Sequence, residues 1–154
     1  LTKEHQAQIE LYAEQLLSGK PIQYILGKAW FMGNELMVNE HVLIPRPETE
    51  ELVEWIISYA SIMNKPLSII DIGTGSGCIP IALKLALPLC KLTGLDISKE
   101  ALAVAEINAN NVKASIEWIE QDILNTAALD NTYDIIVSNP PYIPIREKAN
   151  MQEQ

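Results

Sequence analysis

The sequence predicts an α/β fold, in which a parallel sheet of about four strands is preceded by a helix and a β-hairpin. Three observations support this prediction. From residue 67 onward, short apolar runs alternate with helical segments, which is typical of strands joined by right-handed helical crossovers. A glycine-rich turn, Gly73–Gly77, follows the first apolar run. The first two runs each end in an acid, Asp71 and Asp96.

The chain begins with a predicted amphipathic helix over residues 3–17. Apolar side chains recur there at helical spacing, and Ser18-Gly19 followed by Pro21 is a typical helix end. No partner helix for it follows directly in the sequence. We therefore expect it to be the last element of a segment that lies upstream.

A β-hairpin is predicted between residues 20 and 45. Its strands would be the β-type runs Gln23–Leu26 and Glu35–Val38, with a tight turn at Gly33-Asn34. Pro47 then suits the first turn of a helix, because proline lacks the N–H that such a turn leaves unpaired. The apolar face of this helix would consist of Leu52, Val53, Ile56, Ile57 and Ala60.

The second half of the chain alternates strands and helices. We expect strands at 67–71, 91–96, 115–119 and 133–138, and helices at 79–87 and 99–108. Ser98 is placed to cap the second of these helices. Because the strands would run parallel, their carboxyl ends would meet at one edge of the sheet, where ligands bind in open α/β folds.

Composition narrows the classes of function. The net charge is −9 and the 11 Lys and Arg residues are scattered, which disfavours direct binding of bare nucleic acid by a basic face. Cys78 and Cys90 lack metal-ligand spacing and are expected to be reduced thiols in a cytoplasmic protein. No run reaches the ~18 apolar residues of a membrane-spanning helix, and no cluster of metal ligands stands out.

The turn after the first strand is the candidate cofactor site. Its residues, with the acid before them, are Asp71, Gly73, Thr74, Gly75, Ser76 and Gly77. Glycines let the backbone approach a ligand closely, although such a turn can also simply join a strand to a helix. Asp96 lies 19 residues after Gly77, near the ~20-residue offset of an acid that binds ribose hydroxyls. The presence of this second acid favours a turn that binds a ligand over one that only joins a strand to a helix.

Spacing and polarity favour S-adenosylmethionine (SAM) over NAD at this turn. A dinucleotide site uses Gly-x-Gly-x-x-Gly beside the pyrophosphate, whereas the spacing here is Gly-x-Gly-x-Gly. The Asp71 carboxylate would repel a pyrophosphate but attract the ammonium and sulfonium charges of SAM. Asp122 and Ile123, after the third strand, are placed to meet the adenine ring. Asp122 is an equally good candidate for a helix cap.

The segment Asn139-Pro140-Pro141-Tyr142 follows the fourth predicted strand. Its two prolines fix the backbone and make a stiff bend at the strand end. The Asn139 side-chain oxygen and the Pro140 carbonyl could each accept a hydrogen bond from a planar NH2 group, with Tyr142 as an apolar wall. A nitrogen held in this way could attack a sulfonium methyl group in line, a reaction governed by positioning and electrostatics.

Together these residues resemble a known family. The motifs similar to those of class I SAM-dependent amino-methyltransferases are Gly73–Gly77, Asp96 and Asn139–Tyr142. Upstream, Pro21–Gly27, Trp30-Phe31 and Leu43–Glu50 closely resemble the HemK/PrmC glutamine methyltransferases of peptide chain release factors. The proline-flanked Arg46 segment is the family-specific part, whereas the other motifs are shared more widely.

The resemblance implies a substrate and roles for the motif residues. The substrate would be the glutamine in the Gly-Gly-Gln loop of a bacterial release factor, and the product would be N5-methylglutamine. The glutamine would be bound by Asn139, Pro140, Pro141 and Tyr142. SAM would be bound by Gly73–Gly77 and Asp96, and Asn139 would also contact it. Arg46 is either a further substrate-binding residue or a solvated residue at the entry to a helix.

The resemblance also implies a domain arrangement. Residues 1–19 would be the last helix of an N-terminal helical domain, 20–45 a β-hairpin linker, and 46–154 the N-terminal portion of the methyltransferase domain. The class I sheet has seven strands, so we expect the chain to be truncated at both ends. No nucleic acid or membrane partner is expected.

Three other functions remain open at the level of sequence. A nucleic-acid amino-methyltransferase would use the same Asn-Pro-Pro-Tyr segment, and the acidic composition disfavours it. An NAD-binding oxidoreductase would bind a dinucleotide, and the glycine spacing disfavours it. A non-catalytic SAM-binding fragment would bind the cofactor without transferring its methyl group.

Overall fold

Two helices, a hairpin and a third helix lead into the sheet. The structure is a computed structural model that describes residues 1–142. These first elements are α1 (Lys3–Leu17), α2 (Ile22–Leu26), β1 (Lys28–Phe31), β2 (Asn34–Met37) and α3 (Thr49–Met63). The predicted helix over residues 3–17 is present, and none of its residues is buried.

Four parallel strands then form the predicted sheet. In chain order, the remaining elements are β3 (Ser68–Ile72), α4 (Cys78–Ala86), β4 (Lys91–Asp96), α5 (Lys99–Asn111), β5 (Glu117–Glu120), a 3-10 turn (Ile123–Asn125) and β6 (Ile135–Ser138). The strand order is β5-β4-β3-β6, so β3 and β4 are central and β6 is an edge strand among the described residues. Each predicted strand is found within two residues of its expected limits.

The predicted first strand of the hairpin is wrong. Gln23–Leu26 belongs to the short helix α2, and β2 pairs instead with Lys28–Phe31. Pro21 and Gly27 explain the difference. The Pro21 carbonyl accepts the N–H of Ile25, while Gly27 ends the turn in the left-handed conformation with φ 71°. A five-residue apolar run fits a helix turn or a strand equally well, and these flanking residues decide for the helix.

The hairpin turn is also displaced by one residue from its predicted position. Its two central residues are Met32 and Gly33, with φ of 48° and 75°, as a primed turn requires. Asn34 starts β2, and its side-chain amide donates to the Met32 carbonyl at 3.0 Å. The Met32 N–H donates to the Glu50 carboxylate at 2.7 Å, which ties the hairpin tip to α3.

The apolar core lies between the sheet and its helices. The predicted face of α3 is buried at Val53, Ile56 and Ala60, while Leu52 and Ile57 are partly buried against the same core. Ser98 caps α5 as predicted, because its hydroxyl accepts the Ala101 N–H. None of the helices in the described part of the chain is long and apolar enough to cross a membrane.

The indole of Trp118 fills the space that Gly94 leaves open on the neighbouring strand. The two residues are paired in register between β4 and β5. A Cβ atom added at Gly94 would overlap the six-membered ring of Trp118. Gly94 therefore allows a large aromatic side chain to pack closely against the centre of the sheet.

We expect Gly94→Ala to lower the free energy of unfolding by about 1–3 kcal/mol, the usual cost of overpacking a core. Urea denaturation of the full chain measures it. Trp118→Leu removes the ring that would clash. The double variant should therefore lose less stability than the sum of the two single variants, and strict additivity would contradict the clash.

Candidate active site

A cleft at the carboxyl ends of β3 and β6 brings together three segments that are distant in sequence. It is lined by the proline-flanked segment and the start of α3, by the strand end and glycine-rich turn, and by the residue after β6: Leu43, Ile44, Pro45, Arg46, Thr49, Asp71, Gly73, Thr74, Gly75, Ser76, Cys78, Ile79 and Asn139. The predicted cofactor turn and the predicted acceptor-binding residue thus share one cleft.

The glycine-rich turn folds back over the end of β4. The N–H groups of Gly73 and Thr74 both donate to the Leu95 carbonyl, at 2.8 and 3.0 Å. Gly73 and Gly75 have φ of 75° and 55°, a conformation that residues with a Cβ atom rarely adopt. The glycines are therefore required by the backbone path of the turn.

Asp96 holds this turn in place. One carboxylate oxygen accepts the Gly75 N–H at 2.9 Å, and the other accepts the Ser98 N–H at 3.0 Å. The carboxylate has about four acceptor positions, so about two remain for hydroxyl groups of a ligand. The sequence predicted the ligand-binding role of this acid but did not reveal its role in fixing the turn.

Asp71 is a buried acid without a hydrogen-bond partner among residues 1–142. Its side chain is 2% exposed, and neither carboxylate oxygen is paired there. Burial raises the pKa of Asp71 to about 7; the nearby Thr74 hydroxyl partly opposes this rise, and the negative charge of Asp96 adds a smaller increase. The buried hydroxyl of Thr74 is also unpaired within the same residues. Unpaired buried groups are costly, so this arrangement suits a ligand that donates hydrogen bonds or carries positive charge.

Cys78 also lines the cleft but is not suited to act as a nucleophile. Removal from water, and then the charge of Asp71, raises its thiol pKa to about 12. The thiolate, which is the reactive form of cysteine, is therefore essentially unpopulated at neutral pH. Cys78 is a free thiol, as predicted, and its raised pKa makes it unreactive at neutral pH.

Asp122 caps the 3-10 turn that follows β5. Its carboxylate accepts the Leu124 N–H at 3.0 Å and also bonds the Asn125 side-chain amide. The neighbouring Gln121 N–H donates to the Asp96 carbonyl at 3.0 Å, which places this turn beside the end of β4. The capping role is therefore present, and the predicted contact of Asp122 and Ile123 with adenine stays a prediction.

Asn139 reaches into the cleft, whereas the three residues after it are exposed. Its side-chain Nδ2 donates to the Thr49 hydroxyl at 2.9 Å, and no group in residues 1–142 donates to its Oδ1. Pro140 and Pro141 are exposed, and Tyr142 is 90% exposed. The structure therefore brings Asn139 to the cofactor turn, but it does not place Tyr142 in the cleft.

Arg46 is exposed at the edge of the cleft. It also lines a second groove of about 420 Å³ beside α2, together with Tyr24 and Pro45. No carboxylate of the described residues lies within salt-bridge distance of its guanidinium. The cation is therefore available to a ligand in either space.

Comparison with known proteins identifies the family. Residues 58–153 match the family described as methyltransferase small domain. The chain belongs to this family. It is 51% identical over 143 residues to the release factor glutamine methyltransferase of Flavobacterium psychrophilum, covering 90% of this chain and 50% of that protein. It is 44% identical to the Bacillus subtilis protein of the same description, covering 92% and 51%. The chain thus spans about half the length of the curated relatives it matches.

Solved structures confirm the fold. A ribosomal protein L11 methylase from Lactobacillus delbrueckii subsp. bulgaricus superposes with a TM-score of 0.55 and 31% identity, over 67% of this chain and 51% of that one. The tRNA (uracil-54, C5)-methyltransferase of Pyrococcus abyssi gives a TM-score of 0.54 at 15% identity, over 74% and 28%, and supports the fold alone. The predicted class I methyltransferase fold is therefore correct.

Sequence reasoning missed a buried residue that connects the hairpin to the cofactor turn of this methyltransferase domain. Asn108 on α5 is 1% exposed. Its Oδ1 accepts the Met37 N–H at 2.7 Å, and its Nδ2 donates to the carbonyls of Met37 and Ser76, both at 3.0 Å. Its position in the sequence gives one indication of this role, because it is the polar residue among the apolar residues on the buried face of α5.

We expect Asn108→Leu to lower the free energy of unfolding by about 2 kcal/mol or more, because it leaves the buried Ser76 carbonyl and the two part-buried backbone groups of Met37 without a partner. Urea denaturation measures the loss, and hydrogen exchange should show faster exchange at Met37. Asn110→Leu, at an exposed position of the same helix, is the matched control. Equal losses for the two variants would contradict the bridging role.

The raised pKa of Asp71 predicts a pH-dependent cost to stability. The pKa of Asp71 in the folded protein is about 7, above its ordinary 3.8. Protonation of this acid therefore favours the folded state, and the free energy of unfolding falls as pH rises from about 4 to about 7. We expect the stability of Asp71→Asn relative to the unchanged protein to increase between pH 4 and 8. Denaturation of both proteins at several pH values measures this difference.

Asp134→Asn provides a control of opposite sign. The Ser68 backbone N–H holds the pKa of Asp134 below its usual range. This exposed acid therefore stabilises the fold when it is ionised, and its replacement should cost more at high pH than at low pH. A pH-independent difference for Asp71→Asn would contradict the assigned burial of a carboxylate.

Proposed function

We propose that the protein of which this chain is a part transfers a methyl group from SAM to N5 of a protein glutamine. The acceptor would be the glutamine of the Gly-Gly-Gln loop in a bacterial peptide chain release factor. The observation that carries the proposal is the shared cleft, in which a buried carboxylate and a side-chain amide oxygen, both without a hydrogen-bond partner among residues 1–142, lie together. Relatives described as release factor glutamine methyltransferases, 40–51% identical, support the choice of substrate.

The residues of the cleft fit SAM. The unpaired Asp71 carboxylate offers two oxygens to an ammonium group, which would compensate the cost of its burial. The same carboxylate would repel the pyrophosphate of a dinucleotide, which disfavours NAD. The free acceptor positions of Asp96 suit ribose hydroxyls, and Asp122 with Ile123 would border the adenine. When bound, SAM supplies an electrophilic methyl group beside the glycine-rich turn, where Gly73, Thr74, Gly75, Ser76 and Gly77 would contact it.

Asn139 and Pro140 would prepare the acceptor nitrogen. An amide nitrogen is a weak nucleophile because its lone pair is delocalised into the carbonyl. Hydrogen bonds from its two N–H groups to the Asn139 Oδ1 and the Pro140 carbonyl would hold the nitrogen still and favour a pyramidal geometry. The lone pair would then form the new N–CH3 bond as the S–CH3 bond breaks, and the surplus proton would pass to water.

The remaining motif residues would contact the protein substrate. Pro141 and Tyr142 follow directly after the acceptor-binding pair, and the exposed ring of Tyr142 is available to pack against a docked loop. Arg46 carries a positive charge between the cleft and the neighbouring groove, and no carboxylate of residues 1–142 pairs with it. We assign it to substrate binding, where it would bind backbone carbonyls or an acidic side chain of the release factor.

The domain arrangement is part of the same proposal. Residues 1–19 would end an N-terminal helical domain, 20–45 would form a linker that contains α2 as well as the hairpin, and 46–154 would belong to the methyltransferase domain. Residues 143–154 of that range lie outside the described part of the chain. Cytoplasmic location follows from the proposed substrate, which acts in translation.

A nucleic-acid amino-methyltransferase is the main rival. The same free amide oxygen would accept an exocyclic amine of adenine or guanine. The net charge of −9 disfavours it, because nucleic acid is held largely through phosphate contacts to basic side chains. A SAM-binding fragment without activity would bind the cofactor but release no methylated product.

One labelling experiment separates these functions. The full-length protein is incubated with methyl-labelled SAM and, separately, with release factor, release factor carrying Gln→Ala in its Gly-Gly-Gln loop, tRNA and DNA. Label that enters only the unchanged release factor supports the proposal. Label in tRNA or DNA supports the rival, and SAM binding without any transfer supports the inactive fragment.

Asn139→Ala should lower kcat by about 10²–10³-fold, the usual effect of removing one positioned hydrogen-bonding group from an active site. The dissociation constant for SAM should change little, because Asn139 is assigned to the acceptor. Asn131→Ala, exposed at the opposite end of the sheet, is the control. An equal loss of SAM binding and of turnover would argue against this role of Asn139.

A further inference from the structure

We propose that Thr49 is a positioning residue, whose hydroxyl fixes the side-chain amide of Asn139 so that its oxygen faces the acceptor. The inference rests on the proposed function, because it concerns the orientation of the acceptor-binding group. Thr49 is 8% exposed and lines the same cleft as Asn139. The contact between the two side chains joins residues that are 90 positions apart in the chain.

The backbone holds the Thr49 hydroxyl in a fixed place. Thr49 is the first residue of α3, and its N–H donates to the Arg46 carbonyl at 3.1 Å. The next N–H, that of Glu50, donates to the Pro47 carbonyl at 3.0 Å. The proline-flanked segment therefore ends in two consecutive turns that start the helix, and the helix in turn carries the hydroxyl.

In this contact the Thr49 hydroxyl is the acceptor and the Asn139 amide is the donor. Its Nδ2 is engaged by Thr49 at 2.9 Å, so the Oδ1 is the end left for a ligand. An amide oxygen only accepts hydrogen bonds, whereas the NH2 end only donates them. The orientation therefore selects an acceptor group with N–H donors, such as a carboxamide, and rejects a carboxylate.

Removal of the hydroxyl would release this constraint. With valine at position 49, the shape of the side chain is nearly retained but the partner of Nδ2 is lost. The Asn139 amide can then rotate, and the NH2 end competes with the oxygen for the cleft. Serine keeps the hydroxyl and should keep the orientation.

Kinetics of the full-length protein with release factor test the proposal. We expect Thr49→Val to lower kcat by roughly 10–100-fold, as misplacement of a catalytic group does, with unchanged SAM affinity and only a small fall in Tm. Thr49→Ser should retain most of the activity. In the Asn139→Ala background, Thr49→Val should cause no further loss, because Thr49 acts through Asn139.

Three results would overturn the proposal: full activity of Thr49→Val, equal losses for the serine and valine variants, or the same loss in the Asn139→Ala background. A second measurement does not depend on turnover. The side-chain NH2 protons of Asn139, observed by NMR, should exchange with solvent faster in Thr49→Val than in Thr49→Ser. If the unchanged protein fails to methylate release factor, the proposed function fails, while equal NH2 exchange in the two variants would refute the Thr49 contact itself.

Discussion

The parallel pairing of β3 with β4 and β6 is the constraint on which the site depends. The register sets Ile72 beside Leu95 on one strand and beside Ser138 on the other. The residues that follow these positions, in the glycine-rich turn, at Asp96 and at Asn139, consequently emerge at one edge of the sheet. A shift of a single residue would turn every side chain of a strand to the opposite face. The hydrophobic core that fixes this register therefore also assembles the cleft.

The buried carboxylate of Asp71 connects function to stability. Burial raises its pKa, and its ionised form is costly in the free protein because no group of residues 1–142 bonds the carboxylate. A cationic ligand would pair with this carboxylate, and its binding would therefore offset the free-energy cost of burying the charge. The backbone around Asp71 is held by hydrogen bonds. Asp96 accepts the N–H groups of Gly75 and Ser98, and Asn108 bonds both the hairpin and the carbonyl of Ser76.

Segments from three parts of the chain enclose the cleft, and hydrogen bonds attach them to one another or to the elements around them. The hairpin is attached to α3 through Glu50 and to α5 through Asn108. The start of α3 is attached to the end of β6 through Thr49 and Asn139. The proline-flanked segment around Arg46 gains a physical role from this arrangement. It starts the helix that carries Thr49, and it forms one wall of the cleft.

Features that depend on neighbouring residues could be predicted from the amino-acid sequence. Alternating patterns located the four strands, the glycines marked a turn with left-handed backbone, and Ser98 marked the start of α5. The prediction was wrong where the local pattern is ambiguous. Residues Gln23–Leu26 were expected to form a strand, but they belong to a helix because Pro21 and Gly27 flank a single helical turn. Three features of the site appear only in the folded molecule: Asp71 has no hydrogen-bond partner among residues 1–142, Asp96 accepts the Gly75 N–H, and Thr49 accepts a hydrogen bond from Asn139. These contacts depend on strand register and packing between distant segments, and no local spacing encodes them.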